Sequence, residues 1–292
     1  MPDPTLPLRA AQEIALSHGI TPDRCVILQN SSTLVVRLTE TLVARVVQDR
    51  DGPRQGTEWF ARENAIAKHL TAHGAPVIPM HSDLPPGPHE HLGYPLNFWE
   101  FVTQVETVPA ATEIGRTLQR CHTIMRHFPQ PLPTLAIVRE SLEILQGRAL
   151  FRSNQQQMLM DHLRRALRIL EACTHQPLHG DAHLGNLMNT TRGLLWTDWE
   201  DTFSGPVEWD VASVIWNAQV LEENHAKVSQ MLAGYREAGG HVDAALLEAC
   251  MTARAAVMTA WYPLLYPEPD EERRRRLALR LAWLEQRSAA GA

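Results

Sequence analysis

The apolar pattern of this chain changes period once, near Pro109, and that change limits the folds open to it. Residues 25–48 read CVILQNSSTLVVRLTETLVARVVQ, rich in Val, Leu and Thr, with polar breaks at Gln29–Ser32 and Thr39–Thr41. Short β-branched runs between turn residues predict two or three antiparallel strands. A helix is expected over 57–74, because Trp59/Phe60, Ile66/Ala67 and Leu70 recur at helical spacing and Gly74 stops the run. Two further extended runs, PVIPM (76–80) and YPLNFWEFV (94–102), flank a Pro/Gly/His-rich loop at 81–93. Beyond Pro109, Ile114, Leu118, Cys121 and Met125 line one helix face. Helical patterns follow at 139–147, 153–173, 208–217, 222–238, 242–262 and 269–288, besides a first helix near 8–19. The expectation is an α+β fold of two lobes: a small antiparallel-sheet lobe over residues 1–102 and a larger, mostly helical lobe over 103–292. A pocket is expected where two such lobes meet.

Composition removes several functions. With 44% hydrophobic and 21% charged residues, the 292-residue chain can bury a sizeable core. A net charge of −6 argues against nucleic acid and anionic membranes as partners. Cys25, Cys121, Cys173 and Cys250 are widely spaced with no C-x-x-C pair, which argues against a disulfide framework and a zinc ribbon. The opening MPDPTLPLRA lacks the apolar run of a signal peptide. The most membrane-like segment, Leu246–Tyr266, contains Glu248, Arg254 and Pro263 and reads as a buried helix. A cytoplasmic protein is expected. Oligomeric state is not legible in these features.

Polar chemistry concentrates in LHGDAHLGNLMNTTRGLLWTDWED, residues 178–201. Gly180 and Gly185 suit a loop, and LMN–TTRG–LLWTD reads as two short strands joined by a turn at Thr190–Gly193. A hairpin folds its ends together, so it is expected to bring Asp181 and Asn186 near Asp198. Carboxylate and amide oxygens of this kind suit Mg²⁺, which leaves its other positions to water and phosphate. Phosphoryl transfer needs such a division of labour: one carboxylate accepts a hydroxyl proton while others hold metal against phosphate charge.

The pattern H-G-D-x-x-x-x-N, followed by a hairpin and D-W-E, resembles the aminoglycoside phosphotransferase and choline kinase group of kinase-like enzymes. The resemblance implies that Asp181 is the catalytic base and that Asn186 and Asp198 are metal ligands. It also implies that His179 is a structural loop residue and that Asp210 braces the loop. Upstream, LVARVV (42–47) is similar to the strand that usually carries a phosphate-binding lysine, and ARENAIAKHL (61–70) to the helix after it. Arg45 stands at the lysine position and Glu63 at that of its partner. Arginine keeps the charge and grips phosphate oxygens through a planar fork. There is no G-x-G-x-x-G. The turn Gln29–Thr33 offers Ser31 and Ser32 to the phosphates instead. The resemblance further implies ATP or GTP as co-substrate, held by the backbone of Glu100–Val102, with Mg²⁺ and a small hydroxyl-bearing acceptor such as an aminoglycoside or amino alcohol.

Two other readings stay open. His179, Asp181 and His183 form H-x-D-x-H, a spacing that can hold Zn²⁺ for hydrolysis, although it gives Asn186 and Asp198 no role. Arg45 also fits a nucleotide-binding protein without turnover. Glu200 is open between metal and solvent, and His183 between phosphate contact and loop capping. The acids Glu222, Glu223, Glu237, Asp243, Glu248, Glu268 and Asp270 could line a pocket for a cationic substrate or simply lie on helix surfaces.

Overall fold

The computed structural model describes residues 2–49 and 56–290. From the N-terminus the chain forms α1 (Thr5–Ser17), β1 (Val26–Asn30), β2 (Thr33–Arg37), β3 (Leu42–Val47), α2 (Glu58–Ala72), β4 (His89–His91), β5 (Tyr94–Glu100) and α3 (Ala111–Met125). Then come α4 (Ala136–Gly147), α5 (Ser153–Leu170), β6 (Gln176–Pro177), β7 (Leu187–Thr190), β8 (Gly193–Trp196) and β9 (Ser204–Gly205). The helices α6 (Glu208–Trp216), α7 (His225–Glu237), α8 (Ala244–Leu265) and α9 (Glu271–Ala290) complete it. Two compact units result: Met1–Phe128 with Gly185–Asp201, and Pro129–Leu184 with Thr202–Ala292.

In the first unit a five-stranded sheet runs in the order β1-β2-β3-β5-β4. Its pairs are antiparallel, with Val35 opposite Arg45 and Arg45 opposite Asn97. Because side chains alternate along a strand, Leu34, Val36, Leu42, Ala44, Val46, Leu96 and Phe98 share one face, where Ala10, Ala11 and Ala15 of α1 cover them. The intervening residues point the other way. There Val43, Trp99 and Val102 pack with Ala67 of α2, Ile78 and Leu195. The same alternation sends Arg45 and Asn97 to the α2 side.

Residues 76–80 do not form the expected strand. Val77 and Met80 make only isolated bridges, to Trp196 and Trp99. Pro76 and Pro79 have no N–H to give a ladder, yet their carbonyls accept from Trp196 at 2.8 Å and Glu100 at 2.9 Å. Conversely, His89–His91, expected as loop, pairs with β5. The β7–β8 hairpin pairs Leu187 with Trp196 and Thr190 with Gly193, as the sequence predicts.

The second unit is built around α8, which contacts α4, α5, α6 and α9. Ala253, Ala255, Ala256 and Ala260 are fully buried, and such small side chains let neighbouring helices approach. Asp243 caps the helix by accepting from the Leu246 amide at 2.8 Å. Arg254 is buried in this otherwise apolar helix. Among the described residues no helix is long and apolar enough to cross a membrane.

Candidate active site

Arg45 leaves β3 toward α2 and gathers three acids of the first unit. Its Nη1 donates to Glu63 at 2.8 and 3.0 Å, and its Nη2 to Asp198 at 2.9 Å and Glu200 at 2.8 Å. Glu63 is 1% exposed and also accepts from Asn97 Nδ2 at 2.9 Å. Asn97 is in turn held by Trp99 Nε1 at 2.8 Å. Burial pushes the Glu63 carboxyl up to about 7; Arg45 opposes that rise, while Asp198 and Glu200 add to it. Burial works against the charge on Arg45, but Asp198, Glu63 and Glu200 together keep its guanidinium firmly protonated.

The hairpin holds two of the expected metal ligands at its base. The Thr197 amide donates to the Asn186 carbonyl at 3.0 Å, which ties the approach to β7 to the residue preceding Asp198. Asn186 is buried. Asp198 has a φ of +66°, in the left-handed region that few residues other than Gly, Asn and Asp tolerate.

The other first-unit candidates lie on β-strand ends. Ser31 and Ser32 form the β1–β2 turn, and their carbonyls accept from the Gln48 side chain at 2.9 Å and the Gln48 amide at 2.8 Å. The turn is thereby fastened to the end of β3. At the end of β5 the amides of Glu100 and Phe101 donate to Pro79 and Thr41, and the Glu100 side chain pairs with Arg192. Val102 is buried against the α2-side core.

Asp181 belongs to the second unit, on a loop built around buried acceptors. Asp210 takes the amides of His179 at 2.7 Å and Gly180 at 3.0 Å, and Trp209 Nε1 donates to the Gly180 carbonyl at 2.8 Å. Gly180 has a φ of +85°, which suits a residue without Cβ. So fixed, the loop sets Asp181 against Arg254 Nη2, with His183 Nε2 at 3.4 Å from its other oxygen. Burial would raise the Asp181 carboxyl, but Arg254 and His183 hold it well below the usual carboxylate range. His179 is fully buried, and its Nδ1 faces the Asp181 amide at 3.4 Å. Among the described residues no group of three or more His, Cys, Asp or Glu could hold a metal ion, which leaves the zinc reading without a ligand set.

Two of these participants, Arg254 and Asn97, were not singled out in the sequence. Arg254 stands 73 positions from Asp181, and the only signal was a lone arginine in an apolar helix. Asn97, a polar residue in a strand of otherwise apolar inward positions, was a similar signal. Glu200 was left open and is one of the acids on Arg45.

The sequence profile described as the phosphotransferase enzyme family (APH) matches residues 14–243. The chain belongs to that family. No curated protein is similar enough in sequence to count as a relative of this phosphotransferase. Among solved structures, the phosphotransferase is similar to the amicoumacin kinase hAmiN in complex with AMP-PNP, Ca²⁺ and Ami (TM-score 0.76, 14% identity, 97% of this chain and 96% of that one). It is similar to a microcompartment-associated aminopropanol kinase (TM-score 0.72, 16% identity, 99% and 98%). It is also similar to the choline kinase LicA from Streptococcus pneumoniae (TM-score 0.66, 14% identity, 94% and 98%). At these identities the likeness establishes the fold: the expected α+β, protein-kinase-like fold, with an antiparallel sheet in the N-terminal region and helices in the C-terminal region.

Proposed function

We propose that this phosphotransferase is a cytoplasmic small-molecule kinase that moves the γ-phosphate of ATP or GTP to a hydroxyl of a small polar acceptor. The observation that carries the reading is the pairing of Arg45 on β3 with the buried Glu63 of α2, in contact with Asp198 at the foot of the hairpin. A guanidinium braced by a buried acid is a ready grip for nucleotide phosphates. In this reading residues 1–102 take the nucleotide and 103–292 supply catalysis and the acceptor site, while the hairpin 185–201 folds with the first unit. Ser31 and Ser32 meet the phosphates, and the backbone of Glu100–Val102 meets the base. Since the Glu100 and Phe101 amides are already engaged, the amide of Val102 is the donor that the base would use.

The donor set fits a divalent cation. Asn186 and Asp198 offer the hard amide and carboxylate oxygens that such a cation takes. Asn186 and Asp198 would hold Mg²⁺, which when bound neutralises phosphate charge. Asp181 orients the acceptor hydroxyl and takes its proton. The hydroxyl oxygen forms the new P–O bond, the bond from the γ-phosphorus to the β–γ bridging oxygen breaks, and ADP or GDP leaves with that electron pair. A carboxylate held so far down is a weak base. That suits a loose transition state, in which the proton leaves late and orientation matters most.

Amino alcohols and aminoglycosides are the first acceptor classes to test, since similar solved structures include an aminopropanol kinase and an aminoglycoside phosphotransferase. The experiment is an ADP- and GDP-release screen of hydroxyl compounds with Mg²⁺, run beside Asp181→Asn. Turnover should fall roughly 10²–10⁴-fold in the variant while nucleotide binding persists. An Asp181→Asn chain working at the parent rate would refute the base assignment. The contact of Arg45 with Asp198 also favours a second reading, a nucleotide-binding protein without turnover. Nucleotide binding with no product release from any acceptor would support it.

A further inference from the structure

The two terminal nitrogens of Arg45 are held by different elements. Nη1 donates to both oxygens of Glu63 on α2, at 3.0 and 2.8 Å. Nη2 donates instead to Asp198 at 2.9 Å and Glu200 at 2.8 Å, at the foot of the hairpin. A lysine ends in one nitrogen and is a point charge, so one acid can hold it. A planar fork is fixed in orientation only when acceptors meet both of its nitrogens. Glu63 settles the first nitrogen of Arg45. The second depends on Asp198 and Glu200.

Those two acids are not equivalent. The Asp198 side chain is 36% exposed and that of Glu200 19% exposed. Asp198 is also the residue assigned to the metal. A carboxylate shared between a guanidinium and a divalent cation serves each less well, because the two positive charges repel across it. Glu200 relieves that conflict. It lies two positions on, in the helical turn Trp199–Asp201, which packs against the helix that carries Glu63. Nη2 bears two hydrogens. When Asp198 turns to the metal, one of them is released to a phosphate oxygen while Glu200 keeps the other, so the fork stays in place.

We propose that Glu200 is a positioning residue that suits this phosphotransferase to an arginine at its phosphate grip, holding Nη2 of Arg45 when Asp198 is given over to the metal. The inference rests on the reading that Arg45 meets nucleotide phosphates and that Asp198 holds Mg²⁺. It leaves Glu200 outside the metal's ligand set. Without the Glu200 carboxylate, Nη2 keeps to Asp198, and guanidinium and metal compete for the same acid. A lysine at position 45 has no second nitrogen for Glu200 to hold.

The test is nucleotide binding by calorimetry, with ADP and GDP titrated into the full chain over a range of Mg²⁺ concentrations; it needs no acceptor. Glu200→Gln should raise the Mg²⁺ concentration at which binding is half developed by about tenfold. The same substitution in an Arg45→Lys chain should move it by less than about twofold. A Glu200 that ligates the metal would give the same shift with either residue at position 45, and that result overturns the proposal. A merely structural Glu200 would lower the melting temperature and leave the Mg²⁺ dependence as in the parent, which overturns it too. In melts without nucleotide or metal, Arg45→Lys and Glu200→Gln together should lower the melting temperature by less than the sum of their separate effects. Strict additivity there counts against the pair and overturns the proposal. Should Glu200→Gln not fold, Glu200→Asp carries the test, since its carboxylate is one methylene short of Nη2. The same shift then supports the proposal and parent-like binding overturns it. A parent that binds neither nucleotide defeats the kinase reading and this inference with it, whereas nucleotide binding indifferent to Glu200 defeats this inference alone.

Discussion

In the first unit one guanidinium, Arg45, pairs with Glu63, Asp198 and Glu200; in the second one carboxylate, Asp181, pairs with Arg254, with His183 beside it. One cluster gathers acids around a base; the other sets an acid against a base on a loop that Asp210 fastens. In the proposed reaction the first receives metal and nucleotide phosphate and the second the acceptor hydroxyl. The difference teaches that the sign of the central group, more than the number of ion pairs, separates the two roles.

The comparison can be broken by removing the lone ion from each cluster. Arg45→Met takes the charged partner from the buried Glu63 and should cost roughly 3–5 kcal/mol in urea unfolding. A loss below about 1 kcal/mol would mean that the acids relax into solvent and that the cluster is not held as described. Asp210→Ala attacks the scaffold of the second cluster, because the His179 and Gly180 amides lose a charged acceptor. About 3 kcal/mol should be lost in the same assay, with turnover falling alongside.

A sharper contrast comes from the two aspartates. Asp181→Asn leaves Arg254 without its counter-charge and should destabilise the chain by about 1–3 kcal/mol. Asp198→Asn should cost less than about 1 kcal/mol, because Arg45 keeps Glu63 and Glu200 and the asparagine tolerates the left-handed backbone. Equal losses would erase the distinction between the clusters. The smallest effect concerns acid. His162 joins α5 to α9 through the Leu284 carbonyl at 3.1 Å and the Ser288 hydroxyl at 2.9 Å. Burial lowers its imidazole below the ordinary 6.5. The unfolded chain therefore takes up this proton first as pH falls, so stability present above 6.5 drains away below it. In His162→Gln the pH dependence of melting between 7 and 5 should be shallower than in the parent.

Much of this was legible because it was local. Period-two alternation in 33–47 and 94–100 sorted core from polar face, and so delivered Arg45 toward the helix carrying Glu63. The face of Ile114, Leu118, Cys121 and Met125 is buried as its spacing predicts. The glycines and turn residues of 178–201 announced a loop and hairpin. What failed was local propensity set against partners elsewhere. Residues 76–80 look like a strand, but two prolines reduce them to bridges whose geometry is set by Trp196 and Trp99. His89–His91 looks like a loop and becomes a strand because β5 offers it an edge. The pairing of Arg254 with Asp181, and the engagement of Glu200 by Arg45, join residues far apart in the chain. Nothing in a single sequence encodes such distances.

Neither compact unit is one continuous length of polypeptide. Leu195, Met188 and Trp196, which finish the packing behind β3 and β5, emerge long after the strands they cover. During synthesis that side of the N-terminal sheet can therefore be covered first by α2 and Ile78, and is completed only when the next sixty or so residues leave the ribosome. A fragment ending at residue 128 would lack Leu195 and Met188 from that packing. The loop carrying Asp181 and the hairpin thus lie where the chain crosses from one unit to the other.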